Sequence, residues 1–281
     1  MPHVAIVADS TCDTPTDWPG RHRLHVVPIH IRFGEETYRE GIDIDEATFY
    51  ARVDADHMIP KTSQPSPGDF ADLYRQLSAD YDAVISMHVT GKLSGTYQSA
   101  ALGAEIVRDI IPVYAFDSAC GSAGLGFMSA EALDLLDRGQ AVEEVMKRLE
   151  QIRSHMNIFL SPSTLKYAQM SGRVSALSST VASILNIMPI IVLTNGELLV
   201  GERVRTRRRA LERMVELLQE QVGDAPAHVA VVHARAEADA QYMFEQARQR
   251  LNCAMLWMTT LATSVAVHLG PGTVGVVGYP R

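Results

Sequence analysis

Apolar positions along the chain fall into short continuous runs, separated by stretches with helical spacing. The runs at 4–8, 83–89 and 113–116 have the length and composition of buried strands, and 24–33 reads as one longer β-branched strand. Between them, residues 45–53, 67–77, 94–110, 118–137 and 141–154 carry apolar side chains at helical intervals. Pro67 suits a first helical position, with Ser66 as its cap. Residues 55–66 form a polar, proline-bearing loop. Strand, loop and helix alternate four times before about residue 155, which predicts a parallel sheet flanked by helices.

The rhythm changes afterwards. Residues 158–160 read as a linking strand, followed by helices at 163–170 and 175–185. Strands at 188–193 and 198–204 flank Asn195-Gly196, the strongest short hairpin signal in the chain. That antiparallel pair excludes a simple repeat of the first half. A helix at 206–222, a strand at 229–233, a helix at 236–250 and strands at 254–259 and 273–278 follow. The expected fold class is α/β, with two α/β domains. Residues 1–157 would surround a parallel sheet, and residues 158–281 a mixed one.

Composition narrows the classes. With 47% hydrophobic and 21% charged residues among 281, the chain is no disordered polymer. No apolar run approaches the ~18 residues of a membrane span. The early run at 4–8 is followed at once by Asp9 and Asp13, so no signal peptide is expected. Three cysteines (Cys12, Cys120, Cys253) without C-x-x-C spacing fit neither a disulfide framework nor a zinc cage, and predict a protein of the reducing cytosol. A net charge of −8 argues against nucleic-acid binding. The charge is uneven, however: residues 203–213 hold six arginines and one glutamate. Arg208 and Arg209 can be relieved by Glu212 on the same helix. Otherwise the patch suits docking to an acidic surface.

Candidate chemistry sits in loops after strands. Asp9-Ser10-Thr11, Thr62-Ser63-Gln64-Pro65-Ser66, Ser94-Gly95-Thr96 and Asp117-Ser118 all carry hydroxyls. In an open parallel sheet such loops share one edge, where ligands bind. Ser94-Gly95-Thr96 lies where a loop enters a helix, so free N–H groups and the helix dipole favour a carboxylate or phosphate there. The plainer reading makes Ser94 only a helix cap. Gly121, Gly124 and Gly126 have the wrong order for a dinucleotide fingerprint and suit close helix packing. G-x-S-x-G, a phosphate-loop motif and H-E-x-x-H are all absent. His268, before Gly270-Pro271-Gly272, is a candidate to face a ligand. A free-standing enzyme acting on a small carboxylated or phosphorylated metabolite, with His268 as base, is one reading these residues allow.

The blocks Ala8-Asp9-Ser10-Thr11-Cys12-Asp13, Thr62-Ser63-Gln64-Pro65-Ser66, Leu93-Ser94-Gly95-Thr96-Tyr97-Gln98-Ser99-Ala100, Gly172-Arg173-Val174-Ser175 and His268-Leu269-Gly270-Pro271-Gly272 together resemble the DegV family. These are fatty-acid-binding proteins that serve as the lipid-carrying subunit of bacterial fatty acid kinase. The resemblance implies a ligand cleft between two α/β domains. It implies no catalysis by this chain and no cofactor, but a bound long-chain fatty acid such as palmitate. The carboxylate would be held by Thr62 and Ser94, with Ser63 and the Gly95 backbone close by, His268 reaching across and Arg173 near. Arg205 and Arg209 would face an ATP-dependent fatty acid kinase subunit, and transient membrane contact would suit a lipid carrier.

Overall fold

The computed structural model describes residues 3–56, 58–173 and 187–281. In chain order the elements are β1 (Val4–Asp9), β2 (Leu24–Val27), β3 (His30–Phe33), β4 (Glu36–Arg39), α1 (Glu46–Asp56), β5 (Lys61–Ser63), α2 (Pro67–Leu77), β6 (Ala83–His88), α3 (Thr96–Ile106), β7 (Val113–Asp117), α4 (Ala123–Asp137) and α5 (Val142–His155). Then come β8 (Asn157–Ser161), α6 (Lys166–Ser171), β9 (Met188–Thr194), β10 (Glu197–Val204), α7 (Arg207–Val222), β11 (Ala227–Ala234), α8 (Glu237–Arg250), β12 (Cys253–Thr260), α9 (Thr263–Leu269) and β13 (Thr273–Pro280). The predicted helix at 175–185 lies outside the described residues, as do Val174 and Ser175.

The front sheet is parallel throughout, in the order β2-β1-β6-β7. Its strands β1 and β6 are buried along almost their whole length, which is why they read as continuous apolar runs. The rear sheet is mixed, in the order β10-β9-β8-β13-β11-β12, with only the β11–β12 pair parallel. The fold is therefore the expected α/β arrangement of a parallel and a mixed sheet. Asn195 and Gly196 both adopt positive φ (51° and 81°), as a tight two-residue hairpin requires.

Three local expectations are corrected. The stretch 24–33 is two strands. Pro28 has no N–H to donate, and the chain leaves β1 there for a small antiparallel sheet, β4-β3-β5. The loop at 55–66 contains β5, in which Thr62 pairs with Ile31 and Ser63 with His30. β8 is no mere linker but an interior strand between β9 and β13.

The two sheets share apolar packing. One continuous core contains Ile6 and Ile85 of the front sheet, Phe127 and Met128 of α4, and Ile158, Ala230 and Val277 of the rear sheet. Helix α4 touches β1 and β6 on one side and β11 and β13 on the other. Phe127 stacks on Trp257 at 4.5 Å and meets Tyr279 edge-on at 5.8 Å. Gly124 and Gly126 serve this packing: a methyl group at Gly126 would stand 2.3 Å from the Asp13 carbonyl oxygen. Among the described residues no helix is long and apolar enough to cross a membrane.

Candidate functional site

The loops after β1, β6 and β7 bring Thr11, Val89, Thr90, Gly121 and Ser122 to one end of the front sheet. There they meet Ile158 and Leu160 of β8, Leu193 of β9, Leu198 of β10 and the helix α9 across a pocket. Most of its wall is aliphatic, with Ile29, Leu261, Val265 and Leu269 completing it. Its polar groups include Thr62, Ser63 and Gln64 from β5 and the residues after it, Ser94 and Gly95 before α3, and His268 and Arg173. All six residues expected to hold a ligand therefore line one pocket.

The local reasons differ. Ser66 caps α2 in a reciprocal box with Asp69, which sets the chain direction just after Thr62-Ser63-Gln64. Ser94 is not the cap of α3. Gly95 occupies that position without a side-chain acceptor, and the Ser94 hydroxyl instead bonds the Thr96 hydroxyl at 2.8 Å. The Ser94 Oγ also accepts from the Thr96 N–H at 3.4 Å, so from one position before the cap it still meets one of the donors that open the helix. The Gln64 amide lies over Gly95, 2.9 Å from where a Cβ would stand, so any side chain there would displace it. Gly172 ends α6 at φ 66°, a left-handed turn that a β-carbon disfavours, and so turns Arg173 toward the pocket.

His268 sits in the last turn of α9, an element the sequence pattern did not predict. Its Nε2 is 3.0 Å from the Thr62 hydroxyl, a bond between residues 206 positions apart. Its Nδ1 is buried and has no hydrogen-bond partner among the described residues. Burial, reinforced by the Arg173 charge, lowers the imidazole pKa from 6.5 to about 4, so the ring is neutral at pH 7. Between pH 6.5 and 4 the unfolded chain binds a proton there that the folded chain refuses, so folding is disfavoured progressively as pH falls through that window. The ligand-free protein is expected to lose roughly 3 kcal/mol more than a His268→Gln variant between pH 7 and pH 4. Urea unfolding at the two pH values measures the difference; parallel curves would place His268 in a wetter site.

An enzymatic reading gains nothing from the neighbourhood of His268. Its orienting partner is a hydroxyl, not a carboxylate. A triad-like order does occur elsewhere, and sequence reasoning missed it. The Ser86 hydroxyl is 2.7 Å from His88 Nε2, and His88 Nδ1 is 3.2 Å from Asp9. All three are fully buried and none lines the pocket. Asp9 also accepts from the N–H groups of Thr11 and Val89, so the network holds two pocket-lining loops in place. Cys120 lines the pocket, but burial pushes its thiol up to about 12, which leaves it inert. Among the described residues there is no group of three His, Cys, Asp or Glu side chains able to hold a metal.

The arginine patch is partly self-neutralised. Arg207 is structural, bonding Asp239 and the carbonyls of Ser161 and Gly272. Arg208 pairs with Glu212 as expected. Arg209 does not: it reaches a turn further and makes two bonds to Glu216, at 2.7 and 2.9 Å, a fork geometry that a single Glu212 oxygen shared with Arg208 could not match. Arg205 is exposed and forms no ion pair among the described residues.

A family model described as "Uncharacterised protein, DegV family" matches residues 3–281. The chain is 34% identical over 276 residues to Protein DegV of Bacillus subtilis, covering 98% of each. It is 31% identical to a fatty acid-binding protein of Thermotoga maritima, covering 97% of this chain and 96% of that one. A fatty-acid-binding DegV family protein from Thermus thermophilus has the same fold, with a TM-score of 0.91 at 30% identity over 99% of this chain and all of the other. With a family match that spans nearly its whole length, and the corresponding fold, the chain belongs to the DegV family.

Proposed function

We propose that this chain binds a long-chain fatty acid such as palmitate and presents its carboxylate to a separate ATP-dependent kinase subunit for acyl phosphate formation. The observation that carries the reading is the buried Nδ1 of His268, without a partner among the described residues, in a largely aliphatic pocket. A buried polar atom without a partner is costly, and a ligand oxygen would relieve it. With the proton of the neutral ring on Nδ1, the Thr62 hydroxyl donates to Nε2 and orients the imidazole; Ser63, Ser94 and the Gly95 N–H supply further donors, and Arg173 supplies charge. Each charge-assisted bond contributes roughly 1.5–3 kcal/mol. Burial of about fourteen methylenes contributes up to roughly 11 kcal/mol before ordering costs. The tail would set affinity and the head group orientation. The relatives described as fatty-acid-binding support a fatty acid as the ligand.

Mass spectrometry of the purified protein under native and denaturing conditions tests the reading. Release of a C14–C18 acid is expected; turnover of a small metabolite without any partner would overturn it. Thr62→Ala or Ser94→Ala should weaken palmitate binding by about tenfold, the low end for one charge-assisted hydrogen bond, and reduce partner-dependent phosphorylation more strongly. Unchanged binding and phosphorylation in Ser94→Ala would remove Ser94 from the seat.

Arg205 and Arg209 are proposed to face the kinase subunit. Because Arg209 is already paired, Arg205→Ala should lower kinase coupling more than Arg209→Ala, with lipid affinity unchanged in both. An equal fall in coupling and in affinity would refute a docking role.

A further inference from the structure

The fatty-acid reading rests on where His268 is held, and α9, which holds it, is pinned at its opposite end by two acidic side chains from the front half. Ala262, the N-cap of α9, has no side-chain oxygen, and the first turn carries no acidic residue. The N–H groups that open a helix need acceptors from elsewhere. Asp13 accepts from the Ala262 N–H at 2.9 Å, and Glu40 from the Ser264 N–H at 2.7 Å. Glu40 also accepts from the hydroxyls of Thr263 (2.6 Å), Ser264 (2.6 Å) and Ser10 (2.5 Å). Both side chains are buried, and burial pushes the Asp13 carboxyl well above the usual carboxylate range. Glu40 is itself fixed by its N–H bond to the carbonyl of Ile29, whose own N–H donates to Ser10.

These contacts form one mechanical path. Ile29, Ser264, Val265 and His268 line the lipid pocket, whereas Glu40 lies behind it. A helix of seven residues is about 10 Å long, so a shift of its first turn is carried to its last. We propose that Glu40 is a positioning residue of the carboxylate seat: by accepting from Ser10, Thr263 and Ser264 it fixes the first turn of α9 and so holds His268 against Thr62. A carboxylate suits the task because both its oxygens accept only. An amide in its place would turn a donor toward Ser10 and Ser264, whose hydroxyls already point their hydrogens there.

The inference rests on the fatty-acid reading only for its use, and its test separates the two. Long-range proton–nitrogen NMR of the lipid-free protein, with the signal assigned from a His268→Gln variant, reports the state of the imidazole. Thr62→Val removes the bond to the ring directly and sets the reference shift. Glu40→Gln is expected to move the His268 signals in the same direction, and to weaken palmitate binding about fivefold. Leu149→Val, a core change on α5 that does not line the pocket, controls for general destabilisation and should leave the imidazole unmoved. An unmoved imidazole in Glu40→Gln, or an equal movement in Leu149→Val, overturns the proposal. Should Glu40→Gln fail to fold, Thr263→Val removes one donor from the α9 side and is read in the same way, with a smaller shift expected and none overturning. If the wild type binds no palmitate, the functional reading falls while the imidazole signals still decide the role of Glu40.

Discussion

Replacing Phe127 by alanine is expected to destabilise the protein by about 3–5 kcal/mol, and to loosen both sheets together. Phe127 is almost fully buried on α4 and packs into the rear half on Trp257, Tyr279 and His228. Truncation removes a large apolar surface and leaves a cavity that α4, wedged between two sheets, cannot collapse around. The two tryptophans report on this junction, since Trp18 lies 5.8 Å from Trp257. Tryptophan fluorescence and far-ultraviolet circular dichroism should give one coincident transition at a lowered midpoint. Two separated transitions would mean that the sheets fold independently.

Leu193→Asp is expected to leave the fold intact and to weaken palmitate binding by about a hundredfold or more. Leu193 is half-buried in β9, opposite Leu198 on one side and Ile158 on the other, and it lines the pocket with both. In the empty pocket a carboxylate at this position can keep water. Against an alkyl chain it must lose that water without gaining a partner, and the penalty falls on the bound state alone. Calorimetric titration with palmitate, beside a thermal melt of the empty variant, separates the two effects. Wild-type affinity in a folded variant would mean that the tail does not run past β9.

Most of the fold was legible because the elements obey their own local signals. The buried strands β1 and β6 read as apolar runs, Ser66-Pro67 announces α2, and Asn195-Gly196 announces the hairpin of β9 and β10. The residues of the candidate seat were legible as hydroxyl-rich loops and, more sharply, through the family resemblance. What escaped depends on distant partners. β5 is only three residues long and exists through its pairing with β3. Pro28 lies inside an apolar stretch, so periodicity alone ran through it. Helix α9 ends at Gly270, a usable stop signal, but its start is capped by Asp13 and Glu40, more than 220 positions away in sequence. No window along the chain contains both a helix start and its acceptors in that case. The same distance hid Glu40, whose surroundings, Arg39 and Gly41, suggest only a turn.

The hydroxyl-rich make-up of the pocket around His268 extends to reactivity. An oxyanion gripped by a guanidinium fork surrenders much of its electron density to the ion pair, whereas hydroxyls and an uncharged imidazole withdraw less. A fatty acid carboxylate seated among Thr62, Ser94 and His268, with Arg173 in the same pocket wall, would remain a competent nucleophile toward the terminal phosphorus of ATP, the new C–O–P linkage forming as the bond to departing ADP breaks on the kinase subunit.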